Sequence, residues 1–372
     1  METRFMERAL KLAEKGRGKV SPNPIVGCVI AKKGRVIAEA GHAKYGGMHA
    51  EAAALKKAGK RAKGADMYVT LEPCPHWGKT PPCTEAIIKA GIKRVFAAMK
   101  DPNPRVKGRG VKKLRASGVP TVLGICKKEA EMLNDFYITY MLKKRPFVIM
   151  KVAMTADGKI TWGNGKRKNV SGKEAKEFVH NLRADVDAVA VGINTVIKDN
   201  PRLTARLGEK QGGNKKAECK KAKCRNPLRI VFDSSLKIPL NARILKGVKT
   251  AGTTIITTGK SKNKKRKAIE IQKRGAGVII VKAGQERVDL RSALAELGKA
   301  GISSLLLEGG NKINTAFLRE GLADKIAFIV SARRVGKGLD WADARVLGKI
   351  KIRDLKVSAL GNDLLIEGRP EA

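Results

Sequence analysis

His49-Ala50-Glu51 and, further along, Leu71-Glu72-Pro73-Cys74-Pro75-His76-Trp77-Gly78-Lys79-Thr80-Pro81-Pro82-Cys83 place one imidazole, two thiols and a carboxylate within 35 residues. Three ligands of this kind suit a catalytic zinc, which keeps a fourth position open for water. Residues two apart on a helix do not share a face. His49 and Glu51 therefore converge only if His49 stands at the start of its helix, an entry that Gly46-Gly47 permits. Cys74 and Cys83 fall in a proline-rich loop that opens onto a helix, and helix N-termini favour thiolates. The expected ligands are His49, Cys74 and Cys83, for one zinc per chain, and Glu51 is the expected proton carrier. A single histidine or cysteine would read as core packing; the full set in this order does not.

Outward from this stretch, strand-like and helix-like patterns alternate. Residues 2–15 carry apolar positions at helical spacing, Ile25–Ala31 and Arg35–Ala40 read as a hairpin around Lys33-Gly34, and Met67–Leu71 and Arg94–Ala98 read as buried strands. A basic turn, Lys143-Lys144-Arg145-Pro146, suggests a boundary, with domains at 1–145 and 146–372. The second stretch alternates again, with strands at 147–154, 186–192, 228–232, 253–257, 277–281, 303–307 and 325–330 separated by helical patterns. Both halves are expected to be α/β, with helices covering a sheet. Residues 208–227 read as an insertion.

The 372 residues carry a net charge of +44, with aromatics at 4%. Nucleic-acid surfaces cluster charge and interleave aromatics. Here the lysines are spread along the chain, so a lysine-rich surface is expected and nucleic acid is not an expected partner. Such a field still steers phosphorylated substrates. No apolar run is long enough to span a membrane. Met1-Glu2-Thr3-Arg4-Phe5 opens a charged amphipathic segment without a signal-peptide core, so the expected location is cytoplasmic. Cys28 and Cys126 sit in apolar runs and are expected to be buried; Cys219 and Cys224 lack further ligands nearby.

Two proline-stiffened segments, Ser21-Pro22-Asn23-Pro24 and Asp101-Pro102-Asn103-Pro104, nearly repeat each other. Each can be a plain turn, or the pair can present Asn side chains to a flat base. His42 and His76 are open between substrate contact and solvated loop.

These residues carry a resemblance. Ser21–Gly27, His42, His49–Glu51, Leu71–Cys74, Gly78–Cys83 and Asp101–Pro104 resemble the deaminase half of the bifunctional riboflavin-biosynthesis deaminase–reductase family. Nucleic-acid base deaminases space their cysteines Cys-x-x-Cys, whereas eight residues separate Cys74 from Cys83. The family's long insert has this form. Lys151–Lys159, Leu182–Ala184, Val191–Thr195, Asp199–Arg206 and Leu307–Gly310 resemble its reductase half. The resemblance implies a cytidine-deaminase-like zinc domain and a dihydrofolate-reductase-like domain using NADPH. It also implies a homo-oligomer and a phosphorylated pyrimidine-ribose substrate. For that substrate it implies contacts from Asn23, His42, His76, Asp101, Asn103, Arg167, Arg183, Leu203, Arg206 and Glu308. Arg183 and Arg206 would grip the phosphate. For the cofactor it implies Met154, Asn169, Thr195, Asp199, Ser234 and the run Gly310, Asn311, Lys312, Ile313, Asn314, Thr315 and Ala316; a glycine-rich helix start suits phosphate. Asn169 stands where the family commonly has an aromatic, and Met154 where it commonly has serine.

Overall fold

The structure is a computed structural model that describes residues 2–162, 171–207, 226–259, 262–284 and 287–371. It divides into two compact units, Met1–Lys144 and Arg145–Ala372.

The first unit is built on a five-stranded sheet in the order β2-β1-β3-β4-β5. Its strands are β1 (Gly27–Lys32), β2 (Arg35–Gly41), β3 (Asp66–Val69), β4 (Arg94–Ala97) and β5 (Thr121–Leu123), and its helices are α1 (Glu2–Glu14), α2 (Ala50–Ala58), α3 (Cys83–Lys89), α4 (Arg109–Ala116), α5 (Lys127–Leu133) and α6 (Asp135–Lys143). Lys33 and Gly34 both take positive φ, 49° and 72°, which makes the tight hairpin between β1 and β2. α1 buries Phe5, Met6, Ala9 and Ala13. It lies so close to β1 that a Cβ on Gly27 would fall 1.9 Å from the Ala9 carbonyl oxygen. β3 and β4 run parallel, so the loops after them emerge at one edge of the sheet, where α/β proteins place ligands. Cys28 is buried as expected, whereas Cys126, the N-cap of α5 with φ 54°, is only half-buried.

In the second unit β6 (Phe147–Thr155), β7 (Ala188–Gly192), β8 (Leu228–Phe232), β9 (Thr253–Thr258) and β10 (Gly277–Val281) are followed by a minor pair, β11 (Ala283–Gly284) and β12 (Arg287–Val288). β13 (Ser304–Leu307), β14 (Lys325–Ser331), β15 (Lys351–Leu360) and β16 (Asp363–Glu371) complete the strands. The helices are α7 (Lys173–Asp185), α8 (Ile193–Asp199), α9 (Arg243–Lys246), α10 (Lys262–Lys273), α11 (Leu290–Lys299), α12 (Asn311–Arg319) and α13 (Ala344–Leu347). The main sheet has the order β10-β9-β8-β7-β13-β6-β14-β16-β15. β10 to β14 in that order are parallel; β14 pairs antiparallel with β16, and β15 closes the edge as a hairpin. The central parallel strands β7 and β13 are almost wholly apolar and buried, as strands covered on both faces must be; β9 carries Thr at four of its six positions. α8 and the β15–β16 hairpin lie outside the pattern read from sequence.

Candidate active sites

The first site assembles at the start of α2. Gly46, with φ 70°, turns the chain into it, and His49 is its N-cap with extended backbone. The imidazole thus leaves the helix end while Glu51, in the first turn, points the same way. Cys83 is the first residue of α3, and its backbone N–H donates to Cys74 Sγ at 3.4 Å. His49 Nδ1 lies 3.3 Å from Cys83 Sγ and 3.7 Å from Cys74 Sγ. Tetrahedral zinc with ordinary Zn–N and Zn–S bonds has N···S edges of about 3.6 Å. The three donors, all within 4.8 Å of one another, are therefore close enough together to hold the ion. Hydrogen bonds from Cys83 and His49 draw the Cys74 thiol well below its usual range, against the opposing effect of burial. A thiolate is what a metal takes.

His49 Nε2 sits 3.2 Å from the Thr80 hydroxyl. With Nδ1 turned to the sulfurs, Nε2–H donates to Thr80, and this outer partner fixes the tautomer. Thr80→Val is expected to weaken zinc binding by about tenfold, as read by competition with a chelator.

Glu51 is 4% exposed. Burial, reinforced by the Cys74 thiolate, pushes its carboxyl up to about 7, and its place beside the ligand set suits a proton carrier. A cavity of about 240 Å³ is lined by Asn23, His42, His49, Glu51, Cys74, His76, Asp101 and Asn103. Every residue expected to touch substrate in this half borders that one space. His42 is buried, its Nδ1 3.0 Å from the Met48 carbonyl and its Nε2 3.4 Å from the Asn23 amide. Asp101 turns inward, accepting from Asn103 N at 2.8 Å and from the Tyr137 hydroxyl at 2.9 Å. Asn134 holds the other Asn-Pro segment through both Ile25 backbone groups.

The second site lies along the carboxyl edge of the large sheet. β8, β7, β13 and β6 are neighbours there. Ser234 follows β8, Thr195 lies in α8 after β7, Glu308 follows β13 and Met154 lies near the end of β6. Gly309 must be glycine: a Cβ would meet Ile313 at 2.3 Å and Asn314 at 2.5 Å. A Cβ on Gly310 would meet nothing within 4 Å, and Gly310 caps α12 without a side-chain hydrogen bond. Asn314 is fully buried, with its Oδ1 unpartnered among the described residues. The free backbone amides of an uncapped helix start, with open space above them, suit the phosphate of a cofactor, whereas Asn314 Oδ1 is an acceptor and calls for a donor. Gly309→Ala is expected to raise the NADPH Kd by about tenfold or more, since packing that close must shift (overpacking costs about 1–3 kcal/mol), as measured by fluorescence titration.

Several expected contacts have fold partners as well. Asn311 donates to the Asp340 carbonyl, the Thr315 hydroxyl donates to the Asn311 carbonyl, and Ser234 Oγ accepts from Val288 N. Lys312 is exposed, Ala316 is half-buried, and Ile313 packs on Gly192. Asp199 ends α8 ahead of Asn200 and Leu203, whose φ values are 41° and 53°. The buried Arg229 secures this turn by donating to the Arg202 carbonyl at 3.2 Å. Arg183 places its fork on Glu308, at 2.5 and 2.9 Å, and donates to the Thr204 carbonyl. Arg206 N donates to His180 Nδ1 at 3.3 Å. Arg167, Asn169, Cys219 and Cys224 lie outside the described residues.

Lys151, Glu72, Thr80, Tyr137 and His180 were not singled out from sequence. Lys151 Nζ is 3.4 Å from Glu308 Oε2, because the parallel register of β13 and β6 sets Leu307 beside Met150. A lone lysine in a buried strand, and a carboxylate directly after one, are the signals that could have found Lys151 and Glu72.

Comparison with known proteins agrees with this geometry. Residues 1–99 match the cytidine and deoxycytidylate deaminase zinc-binding region, and residues 146–366 match the RibD C-terminal domain. The riboflavin biosynthesis protein RibD of Aquifex aeolicus is 41% identical, with 98% of each chain covered, and that of Actinobacillus pleuropneumoniae is 39% identical, covering 98% of this chain and 94% of the relative. The solved RibD of Acinetobacter baumannii superposes with a TM-score of 0.86 at 33% identity, covering 100% of this chain and 99% of that one. A Thermotoga maritima diaminohydroxyphosphoribosylaminopyrimidine deaminase/5-amino-6-(5-phosphoribosylamino)uracil reductase gives 0.81 at 38% identity, with the same coverage. Fold and sites thus define a two-part enzyme, a zinc deaminase joined to an NADPH-dependent reductase. The chain belongs to the RibD family of riboflavin biosynthesis proteins.

Proposed function

We propose that the first unit hydrolyses the 2-amino group of 2,5-diamino-6-(5-phosphoribosylamino)pyrimidin-4-one, and that the second reduces the ribosyl group of the product to ribityl. The observation that carries this reading is the convergence of His49, Cys74 and Cys83 with Glu51 on the cavity that also exposes Asn23 and Asn103. Zinc, when bound, supplies the Lewis acidity that makes water nucleophilic near neutral pH. Glu51 takes the proton of the attacking water and returns it to the departing nitrogen, so the C–N bond breaks and ammonia leaves. Asn23 and Asn103 hold the ring by its polar edges. His76, whose Nδ1 is buried and unpartnered, faces the same space.

In the second unit NADPH supplies the hydride; the protein supplies position and field. Gly310 and the backbone amides at the start of α12 hold its phosphate. Glu308, kept ionised between Arg183 and Lys151, offers its remaining lone pairs to the ribose hydroxyls. Arg206, seated by His180, faces the substrate phosphate. Small phosphorylated substrates, not nucleic acid, are the partners of the positive field. No helix among the described residues is long and apolar enough to cross a membrane. Incubating the chain with the diamino substrate and NADPH tests the proposal: ammonia and the ribitylamino-uracil are expected, and the absence of either product refutes the corresponding half.

A further inference from the structure

We propose that Glu72 is a positioning residue of the deaminase. It clamps residues 101–111 onto the loop that carries Cys74, and so fixes Asn103 at the wall of the substrate cavity. The inference rests on the reading of Asn103 as a substrate contact.

Glu72 follows the buried end of β3 and precedes Pro73-Cys74. It is 2% exposed. Its Oε2 accepts from Asp101 N at 3.2 Å and Gly108 N at 2.9 Å, and its Oε1 accepts from Val111 N at 3.0 Å. One carboxylate thus ties three points of the segment that runs from the Asp-Pro-Asn-Pro turn into α4. Val111 lies in the first turn of α4, where uncompensated N–H groups welcome negative charge. The segment is shaped for this contact. Gly108 takes φ 79°, and a Cβ on Gly110 would fall 2.0 Å from the Pro73 carbonyl oxygen and 3.2 Å from Glu72 Cγ. Glycine at position 110 lets the helix start rest directly on the Glu72-Pro73 backbone.

From Asp101 the restraint passes on. Asp101 accepts from Asn103 N and from the Tyr137 hydroxyl, and Asn103 Oδ1 accepts from Arg105 N at 3.0 Å. The chain of contacts Glu72, Asp101, Asn103 therefore links the metal-ligand loop to the loop that borders the cavity. Glu72 borders the same cavity but is not one of the three donors of the ligand set. Its removal frees Asn103 while leaving His49, Cys74 and Cys83 in place.

The test uses full-length zinc-loaded protein carrying Glu72→Gln, Glu72→Ala, Asn103→Ala, or Glu72→Ala with Asn103→Ala. Zinc content, melting temperature, and kcat and KM for ammonia release are measured. Asn103→Ala and Glu72→Ala are each expected to raise KM about tenfold, with zinc at one per chain and kcat within about threefold of wild type. Glu72→Gln keeps the shape but turns one acceptor into a donor among N–H groups, and falls between. The double variant is expected to be no worse than either single one, because both remove the same contact. Zinc loss, or a fall in kcat with KM unchanged, in Glu72→Gln overturns the proposal by making Glu72 a support of the metal loop. A raised KM in Asn103→Ala with none in Glu72→Gln removes the role of Glu72 alone. No effect of Asn103→Ala removes the reading of Asn103, and the proposal with it. If Glu72→Ala does not fold, Glu72→Gln decides through the same KM and kcat split.

Discussion

Glu51→Gln is expected to lower ammonia release by about 10²–10⁴-fold, the range that a positioned proton carrier contributes, while zinc stays bound. The two halves of this outcome have separate causes. Glu51 is 4% exposed, sits in the first turn of α2 beside the ligand His49 and lines the cavity. It is placed to exchange protons and is not one of the three donors that converge on the ion. Glutamine preserves the volume and removes the titrating oxygen. Ammonia assay and metal analysis on the same preparation check it. Loss of zinc together with activity would mean that the carboxylate belongs to the ligand shell. The variant is also expected to reduce the deaminated substrate with NADPH at the wild-type rate, because Glu51 belongs to the first unit.

Removing Glu308 is expected to have the largest effect in the second unit. Its side chain is 9% exposed, as are its partners Arg183 and Lys151 to only 12% and 15%. Burial raises its carboxyl, but the charges of Lys151 and Arg183 outweigh this and hold it down at about 2. Glu308→Ala leaves two nearly buried cations without a counter-charge. Breaking such a pair costs about 3–5 kcal/mol, which for a unit of this size lowers the melting temperature by roughly 10 °C. Reductase activity is expected to fall with it, since Arg183 and the Thr204 carbonyl it holds lose their anchor. The pH dependence has a definite sign. A carboxyl held below its ordinary 4.5 stabilises the fold at pH above that value, and the contribution is lost as pH falls towards about 2. Melting curves of the full chain between pH 5 and pH 2.5 should show this loss in the wild type and not in Glu308→Gln. A wild-type curve identical to that of Glu308→Gln would contradict the pairing.

The first site was legible from sequence because its chemistry is rare. One histidine, two cysteines and a glutamate in that order have few uses, and Gly46-Gly47 announced the helix entry that lets His49 and Glu51 converge. The two Asn-Pro segments were legible as a pair, though only the fold shows them on one cavity. The second site was harder to see. Glycines 309 and 310 are weak signals alone, and their meaning comes from β13 inserting between β7 and β6, strands distant in sequence. Parallel strands buried on both faces all read as apolar runs, so neither their order nor the Lys151–Glu308 contact can be derived from pattern. The hairpin of β15 and β16 escaped for the opposite reason. β15 is mostly exposed, mixes Lys351, Arg353, Asp354 and Lys356 with apolar residues, and has a register shift between Arg353 and Lys356. Period-two alternation is lost there. Glu72 stands inside the cysteine motif without announcing a role, because its three partners are backbone amides, which no side-chain pattern reveals.

The central claim, that one chain performs deamination and then reduction, is tested most directly by stoichiometry. Ammonia release and NADPH oxidation should be followed together in the full-length zinc-loaded enzyme supplied with the diamino substrate. The account predicts that ammonia appears first and that one NADPH is then consumed for each ammonia released. NADPH consumption that precedes ammonia, or ammonia release with no NADPH consumed, would contradict it.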